Sequence, residues 1–132
     1  LLLLDQVPRH IFRGQGKAFS SDLQALELCL EALDKGLDLQ LTELERIFFY
    51  LPLEHSENNQ HQQLSCELYK RLYLQSEGPI QEGFKISWQF AKLHRDIVAE
   101  FGRFPQRNKA LNRTSTQEEL DYLEHSAENF GQ

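Results

Sequence analysis

The sequence predicts an all-α protein, built as a stack of antiparallel helical hairpins with about six helices. In several segments apolar residues recur at intervals of three and four, which places them on one face of a helix. Capping residues, glycine and proline separate these segments by short turns, and short turns favour antiparallel neighbours. No segment shows the alternation of apolar and polar residues that is typical of a strand.

Capping patterns mark the starts of three helices. In such a pattern a Ser or Thr hydroxyl accepts from the backbone three residues on, and a Glu or Gln there returns a hydrogen bond. The three pairs are Ser21 with Gln24, Thr42 with Glu45, and Thr116 with Glu119. The first helix should close at Gly36, and the second should run through Leu51 until Pro52 ends it.

Two longer helices should form the middle of the protein. Residues 58 to 75 carry leucines at helical spacing, and Ser76 to Pro79 is a turn. The next helix should end at Gly102, and Pro105 prevents its resumption. Its apolar stripe comprises Phe84, Trp88, Ala91, His94, Val98 and Phe101, broadened by Ile86, Phe90, Leu93 and Ile97.

Length and composition predict one domain, residues 1–132, because 132 residues with 40% hydrophobic content can bury a core. The opening run of four leucines is too short to span a membrane, and neither a transmembrane helix nor a signal peptide is expected. Cys29 and Cys66 lie in helical patterns, which is typical of reduced, buried cysteines in the cytoplasm. Because the chain starts inside an apolar run, we expect that an N-terminal helical section is missing.

The charge of the chain argues against nucleic acid as its partner. With 14 basic and 20 acidic residues the net charge is -6, whereas phosphate binding needs a basic surface. Two segments are nevertheless basic: residues 1 to 17 hold three cations against one acid, and residues 94 to 113 hold five against two. If these segments converge, a local basic patch on an acidic body suits a small anion better than a polymer.

Three blocks of the sequence resemble a bacterial family known as domain of unknown function 924. They are LLLLDQVPRHIFRG (1–14), FFYLPLEHSE (48–57) and HRDIVAEFGRFPQRNKALNRTSTQEEL (94–120). The resemblance implies a tetratricopeptide-like helical fold, a cytoplasmic bacterial setting and a missing N-terminal section, but no known reaction. The family pattern usually has His where Gln106 stands and Gly where Asn112 stands. If that histidine does acid–base work, this chain lacks it.

Glu54 and His55 are the candidate catalytic residues, because a carboxylate can orient a histidine that titrates near neutrality. In the alternative interpretation, His55 and Ser56 cap the following helix, while Glu54 and Glu57 pair with arginines. No motif with metal-ligand spacing is present, so neither a metal nor a cofactor is predicted.

The candidate ligand-binding residues are Arg9, Arg13, Arg103, Arg107, Asn108 and His94. Guanidinium groups grip carboxylates or phosphates with two hydrogen bonds, so a surplus of them leaves room for an anionic ligand. Alternatively, Asp5, Glu54 and Glu57 satisfy the arginines internally and fix how the helices dock. His94 alone on an apolar stripe is typical of a hydrogen-bonded core histidine.

Two functional hypotheses follow. The first is a binding or scaffold domain for a peptide or protein, because stacked helical hairpins commonly present a concave surface to such partners. The second is an intracellular, hydrolase-like enzyme, in which the arginines hold a small anion and His55 or Glu54 acts as general acid or base. The oligomeric state is not predicted.

Overall fold

The computed structural model describes residue 11, residues 16–19 and residues 21–125. Within these ranges the chain is helical without strands, which confirms the all-α class; the tetratricopeptide-like arrangement stays a prediction. The α-helices are α1 (Asp22–Asp34), α2 (Glu43–Phe49), α3 (Leu51–Glu54), α4 (Asn59–Gln75), α5 (Ile80–Phe101) and α6 (Gln117–His125), and 3₁₀ turns span Gly16–Phe19, Leu37–Gln40 and Pro105–Arg107. None of the helices in these ranges has both the length and the apolar character needed to cross a bilayer.

The hairpin of α4 and α5 forms the centre of the fold and makes its most extensive interhelical contact. Tyr73 of α4 stacks on Trp88 of α5 with ring centroids 5.6 Å apart. The short helix α3 lies against α4 and α1, which brings the turn after α3 close to the start of α1. The main core cluster contains Cys29, Tyr50, Leu53, Cys66, Leu68, Tyr69, Leu72, Phe84 and Ala91.

Two of the three predicted capping boxes form. The Thr42 hydroxyl accepts from Glu45 and the Glu45 carboxylate accepts from the Thr42 backbone, and the same reciprocal bonds join the second pair, at the start of α6. The box at Ser21 is wrong: Ser21 is the N-cap residue of α1, but its side chain makes no capping hydrogen bond. Its φ of -111° and ψ of 10° differ from the extended conformation that directs a hydroxyl at the first turn.

The predicted end of the second helix at Pro52 is also wrong. Helix α2 ends at Phe49, and Leu51 already belongs to α3. Pro52 lies in the first turn of α3, where its missing N–H has no intrahelical partner to lose. The proline therefore begins a short helix instead of ending one.

Helix α5 ends as predicted, with Gly102 in the left-handed region at φ 74°. It begins at Ile80, one turn before the first residue of the predicted stripe. Of the residues that broaden that stripe, Ile97 is buried, but Ile86, Phe90 and Leu93 are not core, because they are 49%, 45% and 44% exposed. Periodicity identifies an apolar face, but it does not show whether another element covers that face.

Candidate functional site

The candidate residues of α3 and α5 meet in the fold. Glu54 and His94 are both buried, and Glu54 Oε1 lies 3.8 Å from His94 Nδ1. The His94 Nδ1 donates to the backbone carbonyl of Phe90 at 2.7 Å; a carbonyl only accepts, so this nitrogen carries the hydrogen. The ring centroids of His55 and His94 are 6.2 Å apart. His94 thus has the hydrogen-bonded core environment that its place on the stripe suggests.

The turn after α3 is held by Gln62, which the sequence reasoning missed. Gln62 is fully buried in α4, and its Nε2 donates to the backbone carbonyls of Glu54 and Ser56 at 2.6 Å each. A buried amide that binds two carbonyls of one turn fixes the conformation of that turn. No spacing in the sequence signals this role, because the partners are backbone atoms.

Asn58, not His55 or Ser56, is the N-cap of α4. Its side chain accepts from the backbone amides of Gln60 at 2.8 Å and His61 at 3.2 Å. Ser56 supports the cap from outside the helix, because its hydroxyl accepts from the Asn58 amide and contacts His61 Nδ1. The predicted capping role of His55 and Ser56 is therefore wrong, and His55 faces a cavity instead.

Arg107 is buried between two aromatic rings. Its guanidinium carbon lies 4.6 Å from the ring centroids of Phe19 and of Phe104. Nη2 donates to the His55 carbonyl at 3.0 Å, and Nη1 lies 3.9 Å from a carboxylate oxygen of Asp22. Contact with aromatic rings and hydrogen bonding at the edge suit the planar guanidinium. Arg107 thereby joins the 3₁₀ turn after α5 to the ends of α3 and α1.

Arg103 points away from that cluster and grips Glu119 of α6. Its Nε and Nη2 donate to the two carboxylate oxygens at 2.8 and 2.7 Å, and Nη2 also donates to the Thr114 carbonyl at 2.7 Å. The hydrogen bond from Arg103 outweighs the effect of burial and lowers the pKa of Glu119 to about 2. Arg103 therefore docks the last helix.

Arg113, which was not among the candidates, is the arginine that meets Glu57. Its Nη1 and Nη2 donate to the Glu57 oxygens at 2.9 and 3.0 Å, and the Phe104 amide donates to the same carboxylate at 2.7 Å. Burial opposes ionisation of Glu57, but these hydrogen bonds and the nearby arginine charges hold its pKa below the usual range. Asn108 orients Arg113 by accepting from its Nε at 3.0 Å.

A cavity of about 350 Å³ opens beside this framework. It is lined by Phe19, Asp22, Leu23, Leu26, Pro52, His55, Ser56, Glu57, Arg107 and Leu111. Of the candidate residues, His55 and Arg107 line the cavity, whereas Glu54, His94, Arg103 and Asn108 do not. Arg9, Arg13 and Asp5 lie outside the described residues. Among the residues that the structure describes, no three His, Cys, Asp or Glu side chains are placed to hold a metal ion.

The sequence profile of the bacterial proteins of unknown function called DUF924 matches residues 1–127. The chain belongs to this family. A solved structure titled as a protein of unknown function, ATU0120, from Agrobacterium tumefaciens, is 42% identical and superposes with a TM-score of 0.81. The match covers 95% of this chain and 65% of the relative, so the chain spans about two thirds of that protein's length. No curated protein matches the chain.

Gln106 and Asn112, where the resemblance implies His and Gly, have different structural settings. Asn112 has a φ of 57°, in the left-handed region where Gly is free and Asn is the best tolerated alternative. Asn112 thus holds a backbone conformation that Gly also adopts. At 106 both polar atoms of the Gln106 amide are buried without a hydrogen-bond partner. A buried amide without partners costs free energy, so this position favours a different side chain or a bound polar group.

Proposed function

We propose that this DUF924 protein is a cytoplasmic binding domain whose cleft accepts a short stretch of a peptide or protein partner. The observation that carries the proposal is the 350 Å³ cavity with apolar walls from Leu23, Leu26, Pro52 and Leu111. Pockets that hold small ligands or a few side chains begin at about 300 Å³ and are mainly apolar with a few polar groups. Leu23 is 67% exposed at the cavity, so apolar surface is available to a partner.

The polar side of the cleft supports binding because its shape is set before any partner arrives. Glu57 is fixed by Arg113 and the Phe104 amide, and Arg107 is fixed between two rings. When the cleft is preformed, binding costs less conformational entropy in its side chains, and the affinity is higher. Arg103 and Arg113 are engaged by carboxylates within the protein, which favours an architectural role for them over an anion site.

Selection of peptides against the immobilised protein, followed by calorimetry on the enriched sequences, tests this proposal. We expect saturable binding that Leu23→Glu weakens at least about tenfold, because a charge at the apolar wall would be desolvated by the partner. Leu74→Glu is the matched control, since Leu74 is 64% exposed and lies on α4 outside the cleft. Equal affinity for the Leu23→Glu variant, or no enrichment over scrambled peptides, would contradict the proposal.

A second candidate is an intracellular hydrolase-like enzyme that acts on a small anion. It is favoured by one observation, that His55 and Arg107 line the same cavity. In this role Arg107 holds the anion beside His55, and the imidazole transfers the proton. Glu54 supports the nearby His94 from outside the cavity.

A panel of phosphate and carboxylate esters tests the enzyme. Turnover should be lost in His55→Gln while the melting temperature stays unchanged, and His125→Gln, in an exposed residue of α6, should retain it. Turnover that survives in His55→Gln contradicts the proposed acid–base role. If no ester in the panel is turned over, the enzyme hypothesis is contradicted and the binding-domain proposal remains.

A further inference from the structure

A second surface, distinct from the cleft, lies between α2 and α5. Leu44, Ile47 and Phe48 are spaced by three and one on α2, and with Leu51 of α3 they form one apolar face. Ile47 and Leu51 face Ser87 and Phe90 of α5 across a groove of about 160 Å³. We call this surface the α2–α5 groove. No residue that lines the groove also lines the cleft.

The apolar side chains around the groove are about half exposed. Leu44 and Phe48 on one side, and Ile86, Phe90 and Leu93 on the other, are between 44% and 55% exposed. Single exposed leucines are ordinary, but contiguous large apolar side chains mark sites of association. The same face of α5 continues into buried core, so its exposure is confined to this end.

One end of the α5 stripe already packs against a helix. Phe101, at the C-terminal end of α5, contacts Tyr122 of α6 with ring centroids 5.0 Å apart, and Ile97 is buried in the same cluster. Ile86, Phe90 and Leu93 continue this stripe by steps of four and three toward the N-terminus. The open part spans two turns, roughly 10 Å, which matches the apolar face of a short helix.

The charges beside the groove are acidic. Glu82 precedes Ile86 by one turn and Glu100 follows Leu93 by two, so both exposed glutamates lie on the same side of α5 as the stripe. Glu43 and Glu45 flank Leu44 on α2. Lys92 of α5 lies elsewhere on that helix: its Nζ sits 3.9 Å from the Trp88 ring centroid, on the side that faces α4.

We propose that the α2–α5 groove binds a basic amphipathic helix of a partner protein. The apolar stripe packs against the apolar face of that helix, and the glutamates attract the basic side chains beside that face. A second copy of this chain would bring like charges together at the rim, and an anionic membrane would be repelled by them. This inference goes beyond the proposed function, because it concerns a different surface.

Two synthetic peptides of about 18 residues, five helical turns, serve as probes. Both carry leucines at helical spacing on one face, and the other positions are lysine in one peptide and glutamate in the other. Fluorescence anisotropy with the full chain should show saturable binding of the lysine peptide and at least about tenfold weaker binding of the glutamate peptide. Added salt should weaken the binding of the lysine peptide, since salt screens the attraction between exposed charges.

Variants locate the binding on the protein. Leu93→Asp should lower the affinity for the lysine peptide at least about tenfold. The double change Glu82→Lys with Glu100→Lys should also lower this affinity. The matched controls are Leu28→Asp, at a residue of α1 that is 48% exposed, and Glu67→Lys on the exposed face of α4. Leu23→Glu, which damages the cleft, should leave the affinity of the groove for the lysine peptide unchanged. A failure of the groove proposal can therefore be distinguished from a failure of the cleft proposal.

Several outcomes would overturn the proposal. Equal affinity for both peptides, or no effect of Leu93→Asp, removes the groove as a site for a basic helix. A dimer in light scattering that Leu93→Asp dissociates assigns the surface to a second copy of the chain. Binding to vesicles of anionic lipid that the same variant abolishes assigns it to a membrane.

Discussion

At the scale of single residues, Glu119 shows how one buried carboxylate serves two elements. Its carboxylate accepts from the Thr116 amide at 2.9 Å and so completes the N-terminal cap of α6. The same carboxylate receives two hydrogen bonds from Arg103, which follows α5. Glu119 is 2% exposed, so its charge is stable there only because these donors replace water.

We expect the stability that Glu119 contributes to depend on pH. Its pKa is about 2 in the folded protein against an ordinary 4.5, so the contribution is complete above about pH 5 and is lost as the pH falls toward 2. Glu119→Gln should therefore lower the free energy of unfolding by roughly 2 kcal/mol at pH 7 and by much less near pH 2. Urea denaturation across this pH range measures the difference.

The neighbouring Glu118→Gln is the control, because Glu118 is exposed on the same turn of α6. It should change the stability by less than about 0.5 kcal/mol at either pH. A Glu119→Gln deficit that is equally large near pH 2 would mean that packing of the side chain, not its charge, stabilises the contact with Arg103.

At the scale of elements, glycines in different conformations have opposite expected effects. Gly102 ends α5 with φ 74°, where an added Cβ is strained even though no atom lies within 4 Å of it. Gly83 lies inside the same helix with a negative φ and open space around it. Gly102→Ala should destabilise the protein by about 1 kcal/mol, whereas Gly83→Ala should stabilise it by about 0.5 to 1 kcal/mol.

Thermal and urea unfolding of the two alanine variants measure these changes, and each variant serves as the control of the other. Equal effects of the same sign would contradict the assignment of Gly102 as a left-handed helix end. Such an outcome would place the end of α5 elsewhere and would shift the turn that carries Arg103 and Arg107.

The helices were predictable from the sequence because their signals are local. Caps such as Thr42 with Glu45, and the glycine after α5, act within one turn of the residues they order. The Ser21 box failed because the spacing of residue types does not fix the backbone angles of the capping residue. The exposed Ile86 was missed because periodicity describes a face without its neighbour.

The candidate site was predictable only in part, because its contacts join distant segments. Arg107 reaches the carbonyl of His55, 52 residues away, and Arg113 reaches Glu57, 56 residues away. Residue types in the basic segment indicated that carboxylates would meet arginines, and the internal network was one of the two alternatives. Which arginine meets which carboxylate depends on helix packing, and the sequence therefore did not single out Arg113.

At the scale of the whole molecule, two buried cysteines report on the cooperativity of the core. Cys29 of α1 and Cys66 of α4 form no disulfide, are 0% and 4% exposed, and both belong to the main core cluster. Cys29 Sγ donates to the Phe49 carbonyl, and burial raises the pKa of the Cys66 thiol. A thiol reagent attacks the thiolate, so both residues should be unreactive while the core is intact.

If residues 1–132 are one cooperative domain, both thiols should become reactive in the same transition. Labelling with a chromogenic disulfide at increasing urea, in the Cys29→Ala and Cys66→Ala variants, follows one thiol at a time. We expect each labelling midpoint to coincide with the loss of helical circular dichroism in the same variant, since either alanine lowers the global stability and shifts both signals together.

Exposure of Cys29 at lower urea than the circular dichroism transition, with Cys66 still protected, would mean that α1 separates from the α4–α5 hairpin first. Residues of α1 and α3 line the cleft, so the cleft would then open without global unfolding. Its preformed shape would no longer support the proposed binding role.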